Sequence, residues 1–448
     1  MLKSTRILVF SWLQWLRPGL GVKRWLILLP LGLLPVVIGV ALLVGVRITD
    51  IFDIVATHVA ERLSVEIGDP KFAIPAGIIL IFIGLSILMA ALIAVNQSIV
   101  SAIAPTKMGN LADYIVRKRN LASGPRIVVL GGGTGLATLL RGLKQYSSNV
   151  SAIVTTTDDG GSSGQLQRQM GGVLPPGDIR NCLVALADAE PLMQELFQYR
   201  FKTRNDDDGL SGHSLGNLFL SAMAEVTGDF DKAIKATSTV LAIRGDVIPS
   251  TVDGVTLVGT MVDGTEITGE TRIAGSPISI ASLRLCPEGP RAVERALTAV
   301  READFIVLGP GSLYTSVIPH LLIPELVRAI VASHAPRCYV CNIMTQPGET
   351  DGYTASEHVA ALQSHAKQCL KKGSVVIDSI LVNDQLPTEE ARERYRLKGS
   401  IPVEVDMAAI KALGVRVVKA NLVSGMDVIR HDSDKLAAAI IRLVRLNT

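Results

Sequence analysis

Five short segments gather the residue types that handle phosphates, ribose hydroxyls and metal ions. They are Gly131, Gly132, Gly133, Thr134 and Gly135; Asp158, Asp159, Gly160, Gly161 and Ser162; Asp178, Arg180 and Asn181; His213 and Asn217; and Gly309, Gly311 and Ser312. The first follows the β-branched run RIVVL and precedes apolar residues at helical spacing. There, glycines let backbone N–H groups approach a phosphate, and the helix N-terminus favours the anion. A tight strand-to-helix turn uses the same residues. No Gly-Lys-Ser/Thr follows, so this is not a Walker A loop, and Leu136 takes the last glycine position of GxGxxG.

The acids come next. Asp158 and Asp159 follow a second apolar run, roughly 25 residues beyond the first glycines, where dinucleotide folds place an acid on a ribose hydroxyl. The same pair could coordinate Mg²⁺, or serve as an Asx turn and helix cap. In LPPGDIRNCL, Asp178 can cap a helix, and Arg180 and Asn181 in its first turn can reach a phosphate or carbonyl. In SGHSLGNLFL, His213 can donate to a phosphate or act as an acid, and Asn217 can read a base or a diphosphate oxygen. Asp158, Asp159 and His213 are the catalytic candidates, with no step assigned to them. A serine hydrolase is disfavoured, since GHSLG has the GxSxG letters but does not follow a strand-like run as a nucleophile elbow does. GPGSLYTS, after DFIVLG, repeats the strand–glycine–helix logic of the opening loop.

Elements to position these residues are legible. Strand-like runs RIVVL, VSAIVTT, DFIVLG, RCYVCNI, VVIDSILVN and VRVVKANLV alternate with helical patterns such as RAVERALTAVREA and PELVRAIVASHA. This predicts a Rossmann-like, doubly wound α/β domain with a mainly parallel sheet over residues 126–448. VTLVGTMVDGTEITGET reads as an inserted β-hairpin turning at Asp263-Gly264, beside a helical insertion. Loops at the carboxyl ends of parallel strands share one crevice, so the five segments predict one nucleotide site.

Ahead of that domain the chain is unlike a soluble protein. The 48% hydrophobic content of the 448 residues is concentrated in two uncharged stretches, Trp25–Val46 and Ala73–Val95. Each matches the roughly 20 residues needed to cross a bilayer. The segment before the first and that after the second are basic, whereas the connection is acidic. The positive-inside rule then predicts a cytoplasmic leader (1–24), two transmembrane helices (25–46 and 73–95), an external loop (47–72), a juxtamembrane linker (96–125) and a cytoplasmic main domain. This makes an integral membrane protein with both termini inside. Five cysteines suit that compartment, and Cys338 and Cys341 fall in a strand-like run, where positions three apart face opposite ways. Zinc or redox use is disfavoured. A net charge of +3 and few aromatic residues argue against nucleic acid as a partner.

GGGTGL, TTDDGGSSG, PPGDIRN, GHSLGN, GPGSLYTS and the closing DVIRHDSDKLAAAI together resemble the gluconeogenesis-factor (YvcK-type) branch of the family that includes 2-phospho-L-lactate transferase (CofD). The resemblance covers 126–448, and the membrane spans are an addition to the family's soluble form. It implies a nucleotide-sugar-binding regulator, with a ligand such as UDP-N-acetylglucosamine, required for growth on gluconeogenic carbon and for cell shape and wall synthesis. The transferase relatives imply an alternative: Mg²⁺-dependent transfer of phospholactate onto a deazaflavin alcohol with release of a guanosine nucleotide. TTDDGGSSG and PPGDIRN match the first branch better, so a non-catalytic role is favoured over an enzyme. The expected ligands are a nucleotide sugar or dinucleotide, with Mg²⁺ as a possible companion. The expected partners are the membrane, a second copy of the chain and wall-synthesis proteins. An NAD-dependent oxidoreductase is disfavoured by the broken fingerprint.

Overall fold

The computed structural model describes residues 23–44, 70–103, 111–170, 174–188, 191–202, 210–370, 374–424 and 429–447. The expected leader and most of the expected external loop lie outside the described residues. The chain divides into two compact units, Met1–Arg117 and Lys118–Thr448.

In the first unit two apolar helices, Leu28–Val44 and Pro70–Ile103, pack against each other. Glycines seven residues apart on each make this possible. A Cβ on Gly39 would stand 2.6 Å from the carbonyl oxygen of Gly77, and one on Gly84 would stand 2.6 Å from that of Gly32. Small residues at such a seam let two backbones approach closely where water provides no hydrophobic drive. The faces turned outward stay apolar, with Ile78, Ile79, Phe82 and Leu92 all exposed. One helix, within Ala73–Ser98, is long and apolar enough to cross a membrane; Leu28–Val44 is apolar but shorter. Within the expected first span, Trp25 and Leu26 end a short helix, Lys23–Leu26, Leu28–Val44 forms the next, and residues 45–46 lie outside the described residues. The expected linker is partly helical, carrying the end of Pro70–Ile103 and a further helix, Leu111–Ala122.

The second unit is built on seven parallel strands: β1 (Ile127–Gly131), β2 (Val150–Val154), β3 (Asp246–Pro249), β7 (Phe305–Leu308), β8 (Arg337–Val340), β9 (Ser379–Asn383) and β10 (Arg416–Ala420). Their spatial order is β10-β9-β8-β7-β1-β2-β3. Alternation along each strand feeds two apolar cores, one per face. Ile127 and Val129 join Phe305, Val307 and Val340 on one face. Val128 and Leu130 join Ile306, Leu308 and Tyr339 on the other. Cys338 and Cys341 are free and buried, one in each core.

Three antiparallel strands, β4 (Thr256–Met261), β5 (Glu266–Thr268) and β6 (Ile280–Cys286), form a second sheet in the order β5-β4-β6. The expected hairpin is β4–β5, turning at Gly264 with its φ of +87°. β3 was not among the expected strands: it is four residues long, sits at the sheet edge and ends in Pro249, so it carries little periodic signal.

Candidate functional site

The strand order reverses between β1 and β7, which are neighbours in the sheet. Their following loops therefore diverge at the crevice where doubly wound sheets bind ligands. The two glycine segments meet there: a Cβ on Gly135 would stand 2.8 Å from the carbonyl oxygen of Pro310. A cavity of about 470 Å³ opens over this point. Gly132, Gly133, Thr134 and Gly135 line it from β1, Asp158 from β2, Pro310, Gly311 and Ser312 from β7, and Asn342 through Pro347 from β8. Asp178, Glu270, Tyr395, Arg430 and His431 complete much of the wall.

The glycine loop opens the helix Gly133–Leu143, and its N-cap Gly132 supplies no side-chain cap. The N–H of Gly133 is given to Asp178, whose carboxylate lies 2.5 Å from where a Gly132 Cβ would stand. This leaves the Thr134 and Gly135 end of the helix start for an anion. Gly131 is buried as the last residue of β1, and its carbonyl accepts from His320 Nε2 at 3.1 Å. Gly309 is likewise not in the cavity wall; at its φ of +78° it turns the chain out of β7.

The two adjacent aspartates part company. Asp158 faces the cavity, accepting from Gly160 N–H at 2.9 Å. Asp159 instead accepts from the backbone N–H and hydroxyl of Thr271 at 2.9 and 2.7 Å, and so tethers the helix Glu270–Ala274. The two carboxylates therefore take different partners, one on the cavity wall and one at a helix start. Among the described residues no three His, Cys, Asp or Glu side chains are placed to hold a metal.

Gly160, Gly161 and Ser162 turn the chain into the helix Gly161–Met170 rather than lining the cavity. Ser162 Oγ lies 2.9 Å from His213 Nδ1 and accepts from Asn217 Nδ2 at 3.0 Å. All three are buried and line neither this cavity nor its neighbours. His213 and Asn217, expected to orient a ligand, thus form a polar cluster with Ser162 that joins one helix to another.

Arg180 and Asn181 line a neighbouring pocket of about 280 Å³, together with Arg141, Gln198, Arg200 and Arg430. It shares Thr134, Thr138 and Arg430 with the main cavity. On the other side, Asn342 and Ile343 lead into a third cavity walled by Leu386, Pro387, Ile401 and Pro402.

The electrostatics of the main cavity are acidic. Burial, then Asp158, raises the Asp178 carboxyl to about 6. Burial followed by the charges of Asp158, Asp178 and Glu349 raises Glu270 to about 9, although it sits in the first turn of a helix, where a carboxylate is ordinarily favoured. Burial alone takes His431 down to about 4 despite a backbone hydrogen bond at Cys341. Behind the β7 loop, Glu349 is buried, with burial raising it to about 7 against hydrogen bonds from Thr315 and Tyr314. It receives Thr315 Oγ1 at 3.1 Å and Gln346 Nε2 at 2.8 Å, and Gln346 Oε1 accepts from Ser312 Oγ at 2.8 Å. One buried acid thus connects two loops of the cavity wall.

Glu270, Asn342, Gln346 and Arg430 were not among the candidates from sequence. Asn342 and Gln346 follow β8, so the rule that ligands sit at carboxyl ends of strands points to them. Arg430 and His431 lie in the closing DVIRHDSDK segment. Glu270 had no signal, because only the fold brings the inserted sheet over the cavity.

These features coincide with a family. Residues 127–423 match the 2-phospho-L-lactate transferase CofD family. The chain belongs to that family. A relative from Nostoc sp. (strain PCC 7120), described as a putative gluconeogenesis factor, is 44% identical over 97% of this chain and 93% of its own length. The gluconeogenesis factor of Bacillus subtilis is 45% identical over 72% of this chain and 98% of its own. A crystal structure of a Bacillus halodurans protein superposes with a TM-score of 0.67 at 44% identity, covering 72% of this chain and all of that one. The Nostoc alignment extends into the N-terminal unit, whereas the Bacillus alignments are confined to about the length of the C-terminal one.

Proposed function

We propose that this protein is a membrane-tethered, nucleotide-sugar-binding regulator of gluconeogenic carbon use and of wall synthesis. The name carried by its relatives supports the metabolic part of that reading. The cavity at the β1–β7 switch point carries the ligand part: one helix N-terminus and two glycine loops at its centre, with acids on one side. In this reading the Thr134–Gly135 end of the loop takes a phosphate, Asp158 accepts hydrogen bonds from ribose or sugar hydroxyls, and the Leu386–Pro402 cavity takes the base. Both apolar helices cross the membrane, with the C-terminal unit on the cytoplasmic side and the chain acting as a homo-oligomer. Thermal unfolding of the detergent-solubilised chain tests the ligand. UDP-N-acetylglucosamine at a hundredfold excess over its Kd stabilises by about 2.7 kcal/mol if it binds only the folded state. Asp158→Asn should lose most of that shift, and an unchanged melting curve at millimolar ligand would refute the reading.

A second reading rests on the raised carboxyls of Asp178 and Glu270. An acid held neutral at pH 7, as Glu270 is, with a second raised toward that range, is what a proton-transferring transferase uses beside a phosphate loop. Turnover of a deazaflavin alcohol with a guanylated phospholactate donor would decide for it, and binding without turnover for the regulator.

A further inference from the structure

Arg141, Arg180, Arg200 and Arg430 share one pocket whose wall, among the described residues, contains no acidic side chain. Three of them are exposed at its mouth, and Arg180 is buried at 8% exposure. None of the four forms an ion pair among the described residues. Arg180 is held from behind: Nη1 donates to Ser214 Oγ and Nη2 to Asn181 Oδ1 at 2.8 Å. Its Nε is buried with no partner. Arg200 is pinned by one bond, from Nη1 to the Gly212 carbonyl at 2.9 Å. The crowding is felt, since Arg200 adds to burial in lowering the pKa of Arg180.

A buried guanidinium with an unpartnered Nε, beside three more cations and acted on by Asp178 and Asp158 without an ion pair to either, is destabilising on its own. Planar, forked donors converging on a small space suit one chemistry, a tetrahedral oxyanion bound by several charge-assisted hydrogen bonds. We propose that this pocket is a second oxyanion subsite, built to take a phosphate group beyond the one at the glycine loop. It rests on the nucleotide-sugar reading only for the identity of its neighbour across Thr134 and Thr138. In this reading Arg180, held by Ser214 and Asn181, forms the fixed floor, and Arg141, Arg200 and Arg430 close around the anion. The ligand class is thereby narrowed to compounds that place phosphate on the arginine side of Thr134.

Inorganic phosphate and pyrophosphate, titrated into the full-length chain in detergent at constant ionic strength, test this by calorimetry and thermal unfolding. Wild type should bind both anions. Arg141→Gln and Arg200→Gln should each weaken binding about tenfold or more, as loss of a charged hydrogen bond implies. Arg200→Lys should recover part of it, because the charge returns without the fork. Both glutamine variants replace exposed side chains, so their unliganded melting temperatures should stay close to wild type. Chloride that reproduces the phosphate shift, or glutamine variants that titrate as wild type does, would overturn the proposal. With UDP-N-acetylglucosamine present, competition would place that ligand's own diphosphate in the subsite, and additive shifts would place a separate phosphate compound there; either supports it. Phosphate binding without any response to the nucleotide sugar would sink the proposed function and leave the subsite standing.

Discussion

Glu270→Gln should stabilise the protein near neutral pH, and by an amount that depends on pH. Glu270 begins the helix tethered by Asp159, and accepts one long hydrogen bond, from Thr157 Oγ1 at 3.3 Å. Burial and the surrounding acids raise its carboxyl from 4.5 to about 9. The folded protein thus holds a proton that the unfolded chain releases above pH 4.5. Stability from this group is complete below 4.5 and is lost progressively as pH rises toward 9. At pH 7 the realised part is 7 − 4.5 = 2.5 pH units, or about 3.4 kcal/mol at 1.36 kcal/mol per unit, before correction. Glu270 keeps part of its surface toward the open cavity, where water eases the ionised form, so roughly 2 kcal/mol is the better expectation.

Glutamine has the shape of the neutral acid, can still accept from Thr157, and does not titrate. Pulse proteolysis in urea, reporting the C-terminal unit, would compare wild type and variant at several pH values. The two should be equally stable near pH 4.5, and the variant should gain about 1 kcal/mol per pH unit toward pH 7. A difference that does not change with pH, or a variant less stable than wild type at pH 8, would refute the reasoning.

Thr315→Val removes a donor from buried Glu349 and should cost about 1–3 kcal/mol. Since Glu349 is raised to about 7, the loss should be greater at pH 8, where the bond is to a carboxylate, than at pH 5; urea unfolding at the two pH values measures it. Gly39→Leu places side chain where the Gly77 carbonyl stands, so the two apolar helices must separate. All three tryptophans, Trp12, Trp15 and Trp25, fall in that unit, and their fluorescence should report a lower melting temperature in detergent. The membrane reading predicts that the chain stays in the pellet on alkaline carbonate extraction, whereas residues 118–448 alone are released.

Parts of this architecture could be read from the chain because they are local. Each glycine loop announces itself where a β-branched run meets helical spacing, and Gly131–Gly135 and Gly309–Ser312 both followed strands as expected. Six of seven sheet strands carry that signal, and β3, short and at the edge, does not. The site is harder, because it is assembled from distant segments. Arg430 reaches the loop at Thr134 from about three hundred residues away, and Glu270 arrives on an inserted sheet. Local patterns also mislead when neighbouring residues have opposite duties. Asp158 faces the cavity while Asp159 holds a helix, and spacing alone cannot tell them apart. Ser162 stands far in sequence from His213 and Asn217, and only the fold shows that it hydrogen-bonds to both.

The arrangement of charge is the feature that most constrains function. A protein optimised only for stability would pair its buried acids with its arginines. Here Asp158, Asp178 and Glu270 crowd one side of the glycine loop, and Arg141, Arg180 and Arg200 crowd the other. Thr134 and Thr138 stand in the walls of both spaces, so the two groups are neighbours, yet no ion pair joins them among the described residues. Burial, and then like charges held together, cost stability on each side, as the raised carboxyls and lowered guanidinium record. A ligand relieves both only if it is itself polar end to end, with hydroxyls for the acids and phosphate for the arginines. That requirement excludes a purely apolar ligand. It fits a phosphorylated sugar or nucleoside lying across Thr134, and it makes the separation of charge a consequence of binding rather than of folding.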